Sequence, residues 1–238
     1  LMKGLDPQKD QSYFLSAIAA ERLPRVLFPI GAMPKSAVRR IAKSLALPVH
    51  DKKDSTGICF IGERPFEEFL STYLPAQPGV IETLAGERLG QHRGLMFYTL
   101  GQRQGLGIGG TRDHGEQPWY VVNKDLNRNA LLVEQGQDHP ALMSRGLVAN
   151  QLHWFAGAAP SSDFRCAAKT RYRQPDQACR VEIGWDSSAR RQTSANATVT
   201  FDKEQRAVTP GQFVVFYVGE ECLGSGVISD VIRPALPL

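Results

Sequence analysis

Residues 54–62 read DSTGICFIG and set one thiol, Cys59, between two glycines, Gly57 and Gly62. Chemistry at a cysteine needs thiolate, and an ordinary thiol with a pKa of about 8.5 supplies little at neutral pH. Nearby positive charge corrects this, and Lys52 and Lys53 lie just upstream, where a folded loop can bring one close. Ser55, Thr56 and Gly57 form a turn composition whose backbone N–H groups can face an anion. The glycines on either side admit a close-lying backbone or substrate. Against this stands a plain structural account: cysteine is among the most buried residue types, and "ICFI" is an apolar run. From these residues alone both accounts stay open.

The other thiols, Cys166, Cys179 and Cys222, each fall in an alternating apolar run and read as inert sheet residues. No C-x-x-C pair occurs, which argues against a zinc knuckle, a thioredoxin-like site or a disulfide scaffold. Free thiols fit a reducing cytoplasm. "HRG" around His92, and His114, show no metal-ligand spacing, so no metal site is expected. "GQRQGLGIGG" (101–110) lacks the G-K-[ST] ending of a phosphate loop. Its glycines are expected in tight turns, with Arg103 near RNA or packed on Tyr98. "KTRYRQ" (169–174) interleaves cations with an aromatic, a pattern that suits RNA. As a strand it would put Lys169, Arg171 and Arg173 on one face and Thr170 and Tyr172 on the other. A solvated barrel edge guarded by cations explains the same residues equally well.

These residues need elements to hold them. "SYFLSAIAAER" (12–22) predicts a helix capped by Ser12, with Phe14, Leu15, Ile18 and Ala19 on one face. "PKSAVRRIAKSLAL" (34–47) predicts a second, opened by Pro34, with Val38, Ile41, Ala42 and Leu45 as its stripe. "PFEEFLSTYL" (65–74) predicts a third. From about residue 79 the texture turns to short alternating runs between turn residues, and "NKDLNRNA" reads as a hairpin. The same grain fills 144–238, which is the spacing of a small antiparallel β-barrel. Residues 186–197, "DSSARRQTSANA", read as a long polar hairpin loop. The expected fold class is therefore mixed α and β but β-rich: a helical part at 1–64, a small mixed module at 65–143 and a β-barrel at 144–238.

The chain has 238 residues, 42% of them hydrophobic and 22% charged, so it can bury a core as an ordinary globular protein does. No apolar run approaches a membrane span, and no membrane partner is expected. The opening "LMKGLDPQKDQSY" has no signal-peptide apolar region and does not begin with methionine, which reads as a fragment. A net charge of +4 permits a polyanionic partner without demanding one.

Several long strings, in order along nearly the whole chain, carry a resemblance. They are "GLDPQKDQSYFL", "KKDSTGICFIGERPFEEFL", "YLPAQPG", "HRGLMFYTLGQRQGLGIGG", "PWYVV", "KTRYRQ" and "VTPGQFVVFY". Together they resemble the tRNA-specific 2-thiouridylase (MnmA/TrmU) family. The resemblance implies an ATP-dependent enzyme, with Mg accompanying the ATP, that adenylates the C2 oxygen of wobble uridine 34. Sulfur from a cysteine persulfide then displaces AMP. It implies that Cys59 carries the persulfide. It also implies that an upstream cysteine, absent from this sequence, partners Cys59 in releasing sulfur and can form a disulfide with it. Partners implied are the anticodon stem-loop of lysine, glutamate and glutamine tRNAs, and a sulfur-relay protein or cysteine desulfurase as donor. Lys9, Asp10 and Gln11, Arg171 and Tyr172, and Gln212 are implied as tRNA contacts. Without the resemblance Lys9–Gln11 would read as a helix cap and Gln212 as a turn residue.

The family's S-G-G-x-D-S phosphate loop does not occur in the sequence. The expectation is thus a C-terminal portion lacking its nucleotide domain and inactive alone. Two alternatives stand beside the enzyme: a non-catalytic tRNA-binding barrel, and a stand-alone thiol redox protein, for which no second cysteine lies near Cys59 in sequence.

Overall fold

The computed structural model describes residues 1–53, 71–109, 115, 117–185 and 195–234. Its helices include α1 (Ser12–Leu15) and α2 (Lys35–Ser44). Its strands are β1 (Gly79–Glu82), β2 (Arg88–His92), β3 (Trp119–Asp125), β4 (Ala130–Gln135), β5 (Met143–Trp154), β6 (Asp163–Lys169), β7 (Gln177–Trp185), β8 (Ala195–Arg206), β9 (Phe213–Val218) and β10 (Glu221–Ile232). The expected mixed, β-rich class is what folds. Its described residues divide into two compact units, one within 1–53 and 144–234, the other within 71–143.

In the second unit the strands form one sheet in the order β2-β1-β4-β3, with β1 and β4 parallel and the other pairs antiparallel. The hairpin expected at "NKDLNRNA" joins β3 to β4, and Arg128 closes it on Asp125 at 2.7 Å. Ile81, Tyr98, Leu106, Val121, Leu131 and Val133 make its core. Residues 99–109 lie against β3: Gly101 donates to the Val121 carbonyl, and Val121 donates back to Gln102, at 2.8 and 3.0 Å. Gly101, Gly105 and Gly107 hold φ of +78°, +76° and +66° there, the left-handed region that a Cβ disfavours. His92 is buried, its Nε2 3.0 Å from the Asn129 carbonyl.

In the first unit β10-β5-β8-β7-β6-β9 close into a barrel. Alternation drives it: Val214 and Phe216 point into the core with Leu147, Val181, Val199 and Ile228, and a fully buried side chain of this kind contributes roughly 1.5–3 kcal/mol. Strand β9 is buried on both faces. Val215 and Tyr217 point the other way, into a second cluster with Cys222, Leu1 and Tyr13. The N-terminal segment is what covers that outer face. Lys3 donates to the Glu220 carbonyl and Cys222 to that of Leu1, each at 2.8 Å.

Three expectations are corrected. The helix of 12–22 lasts only from Ser12 to Leu15, and a 3-10 turn, Ala20–Arg25, follows. Ser16 ends it: its hydroxyl bonds back to the Tyr13 carbonyl, and its own carbonyl accepts from Ser225 rather than from a helical N–H. "KTRYRQ" is not a strand beyond Lys169, since residues 170–173 turn and Arg173 has φ +64°. Gln174 caps that turn, accepting from the Thr170 N–H and hydroxyl at 2.7 and 3.1 Å. Of the polar segment 186–197, Ala195, Asn196 and Ala197 belong to β8, while 186–194 lie outside the described residues. So does most of the helix expected at 65–74.

Helix α2 forms near its expected span. Pro34 has no donor or side-chain acceptor to offer its N-terminus, and Asp6 takes that role from 29 residues away, accepting from Lys35 N–H at 2.9 Å. At the other end Ala46 stands in the left-handed region, and Leu47 N–H returns to the Ala42 carbonyl, the Schellman arrangement. Its apolar stripe is exposed: Ile41 by 46% and Leu45 by 65%.

Candidate nucleic-acid interface

The N-terminal segment and the turn after β6 meet on the barrel unit. Lys3 and Lys169 stand over the Tyr217 ring, 4.6 and 5.1 Å from its centroid. Both ammonium groups also reach Asp176, at 2.6 and 3.4 Å. The Tyr217 hydroxyl lies 3.1 Å from Ser12 Oγ, and burial pushes its pKa far up, so it stays neutral. Asp10 sits above this network with 6% of its surface exposed. One carboxylate oxygen accepts from the Gly4 and Ser12 N–H groups at 3.0 Å, and the other from the Ser12 hydroxyl at 2.8 Å. Three donors thus hold the Asp10 carboxylate inward. Its geometry is that of an anchor for its neighbour.

That neighbour is Gln11. Its Nε2 donates to the Tyr172 hydroxyl at 2.9 Å, a contact across 161 residues of sequence. Two of the segments named from the sequence thus come together. Tyr172 packs on Phe14, ring centroids 4.5 Å apart, and Arg173 lies over the Tyr172 ring at 5.4 Å. The Arg171 guanidinium donates to the Ala207 carbonyl. Burial lowers its pKa, Arg206 adds to this, and Tyr13 opposes it, yet a guanidinium keeps its charge at any working pH. Tyr13 donates its hydroxyl to the Phe213 carbonyl at 3.0 Å. Burial raises the Tyr13 pKa to about 12, so it too remains a neutral donor. Gln212 precedes Phe213, exposed, with its main chain held by Thr209 and Ile228. Lys9 is half-exposed at the start of the same face.

An amide ladder fixes the turn beneath: Gln174 donates to Gln205 at 2.9 Å, and buried Gln205 to Gln177 at 3.1 Å. Sequence reasoning passed over Tyr13, Phe14 and Arg206. Phe14 belongs to the expected apolar stripe with Leu15, Ile18 and Ala19, yet 61% of its surface is exposed. Cys59 lies outside the described residues. Arg103 lines a cavity of about 630 Å³ in the other unit, with Tyr120, Gln135, Asp138 and His139. Among the described residues no group of three or more His, Cys, Asp or Glu gathers as a metal site, and no helix is long and apolar enough to cross a membrane.

Three family models match the chain in succession. They are described as a tRNA methyl transferase HUP domain (residues 1–63), a tRNA methyl transferase PRC-barrel domain (67–135) and an aminomethyltransferase beta-barrel domain (144–228). Whole-length relatives carry a different label, tRNA-specific 2-thiouridylase MnmA. That of Hahella chejuensis is 60% identical over 233 residues, covering 98% of this chain and 62% of that protein. That of Marinobacter nauticus is 58% identical, covering 100% and 59%. That of Francisella tularensis is 57% identical, covering 96% and 61%. The chain spans about three fifths of the length of these relatives. The expectation that the nucleotide domain is missing is not borne out, since a HUP domain model matches residues 1–63.

Proposed function

We propose that the chain belongs to the tRNA-specific 2-thiouridylase family, as its 60% and 58% identity to two such proteins supports, and that it docks a tRNA anticodon and carries the sulfur for 2-thiolation of the wobble uridine. One observation carries the docking half: Gln11, anchored through Asp10, is hydrogen-bonded to Tyr172 beside Arg171 and Arg173. Cations give affinity for phosphates, and exposed rings hold unpaired bases. Lys9, Asp10, Gln11, Arg171, Tyr172 and Gln212 are the residues proposed to contact tRNA, Asp10 also positioning Gln11.

The sulfur half rests on Cys59 and its "DSTGICFIG" setting. Its persulfide places a terminal sulfur that bonds to uridine C2, while AMP departs with the former C2 oxygen. A second thiol, not assigned to this chain, then attacks the Cys59 sulfur, breaking the S–S bond and leaving a disulfide. The base must leave the anticodon stack to be reached. ATP is proposed as co-substrate on the HUP match alone; the S-G-G-x-D-S loop does not occur in this sequence, so no step through the nucleotide is assigned to these residues. Residues 1–64, 65–143 and 144–238 are proposed as the catalytic-domain portion, the central module and the barrel. A sulfur-relay protein or cysteine desulfurase is the proposed donor, and the cytoplasm the proposed compartment.

The test is peptide mass mapping after incubation of the full chain with a cysteine desulfurase and cysteine. The Cys59 peptide is expected to gain one sulfur, lost on reduction and absent from Cys59→Ser. A Cys59 peptide that never gains sulfur would leave only a tRNA-binding module.

A further inference from the structure

Phe14 has 61% of its surface exposed, which is uncommon for a phenylalanine in an ordered helix of a barrel unit. It is not loose. Tyr13 meets it edge-on, centroids 5.7 Å apart at 86°, and Tyr172 meets it at 4.5 Å and 46°. Tyr172 is in turn held by Gln11 and covered by Arg173. Arg173 itself stands at φ +64°, a left-handed conformation that a Cβ disfavours and that gathers at ligand sites. Gln174, through the amide ladder, keeps the turn in that shape.

The result is a ledge in which Phe14 meets Tyr172 and Tyr172 meets Arg173, while the Arg171 guanidinium, one residue before Tyr172, is held on the Ala207 carbonyl and interacts with Tyr13. Two carboxylates of the same network are engaged elsewhere: Asp10 by the Gly4 and Ser12 donors, Asp176 by Lys3 and Lys169. A ring left open among cations suits a flat, electron-rich, polyanion-borne group, which describes an unpaired nucleobase. An apolar partner peptide would gain nothing from the two guanidinium groups. We propose that Phe14 is a stacking residue for an unpaired base of the bound RNA, with Arg173 and Tyr172 as the wall behind it. The proposal rests on the tRNA-docking reading and adds to it a residue and a mode of contact.

Base–aromatic stacking is worth about 1–3 kcal/mol per base and tolerates any base. It also leaves the number of phosphate contacts, and hence the salt slope, unchanged. The experiment is fluorescence anisotropy with an anticodon stem-loop RNA and the full chain, at several salt concentrations. Phe14→Leu is expected to weaken binding at least about fivefold with the salt slope of the wild type, and Phe14→Trp to restore it. Arg171→Ala is expected to weaken binding and flatten the slope. Wild-type binding with no loss in Phe14→Leu would overturn the stacking role and leave the docking reading intact. Failure of the wild type to bind the RNA at all would overturn the docking reading, and the ledge with it.

Discussion

Cys166 and Cys179 face each other across β6 and β7 with their sulfurs 3.7 Å apart, and Cys222 lies buried behind Tyr217. Contact with Cys166 and burial push the Cys179 thiol far up, and burial pushes Cys222 to about 11. A raised thiol pKa means less thiolate, so both are held protonated at neutral pH. With iodoacetamide at pH 7.5, peptide mapping should find Cys179 and Cys222 unmodified in the folded chain and modified once it is unfolded in guanidinium. Prompt labelling of either in the folded state would contradict the burial. These inert thiols were legible in the sequence because each sits in an alternating run. Asp10 was not: a carboxylate beside a lysine and a glutamine looks like part of a polar contact, and only its Gly4 and Ser12 donors show that it faces inward. Arg171 and Tyr172 could be read equally as a barrel edge, and their pairing with the segment of Gln11, 161 residues away, was not legible in the sequence.

At the scale of elements, the barrel strands announced themselves because period-two alternation survives wherever one face is buried. Strand β9 is the exception: "FVVFYV" is apolar throughout since the N-terminal segment covers its second face. Helices were harder, because their ends depend on distant groups. Periodicity alone runs α1 on to residue 22, but the Ser225 hydroxyl takes the Ser16 carbonyl. Asp6 likewise starts α2 from outside it. The N–H groups of Lys35 and then Gln8 hold the Asp6 carboxyl below its ordinary value. In the unfolded chain this group takes up its proton at a higher pH. Its contribution to stability is therefore complete above about pH 4 and disappears as pH falls through the depressed folded value. Amide exchange across Lys35–Ser44, followed between pH 6 and 3, should show α2 loosening in the wild type as Asp6 protonates. Asp6→Asn should start looser at pH 6 and change less. Identical profiles would mean that Asp6 does not start the helix.

For the molecule as a whole, the consequence is a barrel whose N-terminal segment is at once a structural cover and half of the proposed binding face. Leu1 and Tyr13 bury apolar surface on β9, while Gln11 and Phe14, from the same few residues, turn outward. Folding the first task therefore places the second. Photocrosslinking an anticodon stem-loop RNA bearing 4-thiouridine to the full chain, with mapping of the joined peptides, tests this most directly. Crosslinks should concentrate in residues 9–14 and 170–174, and both sites should fade together in Asp10→Ala, which frees the segment from its anchor. Crosslinks confined to the β1–β4 unit, with 9–14 and 170–174 unlabelled, would contradict the account.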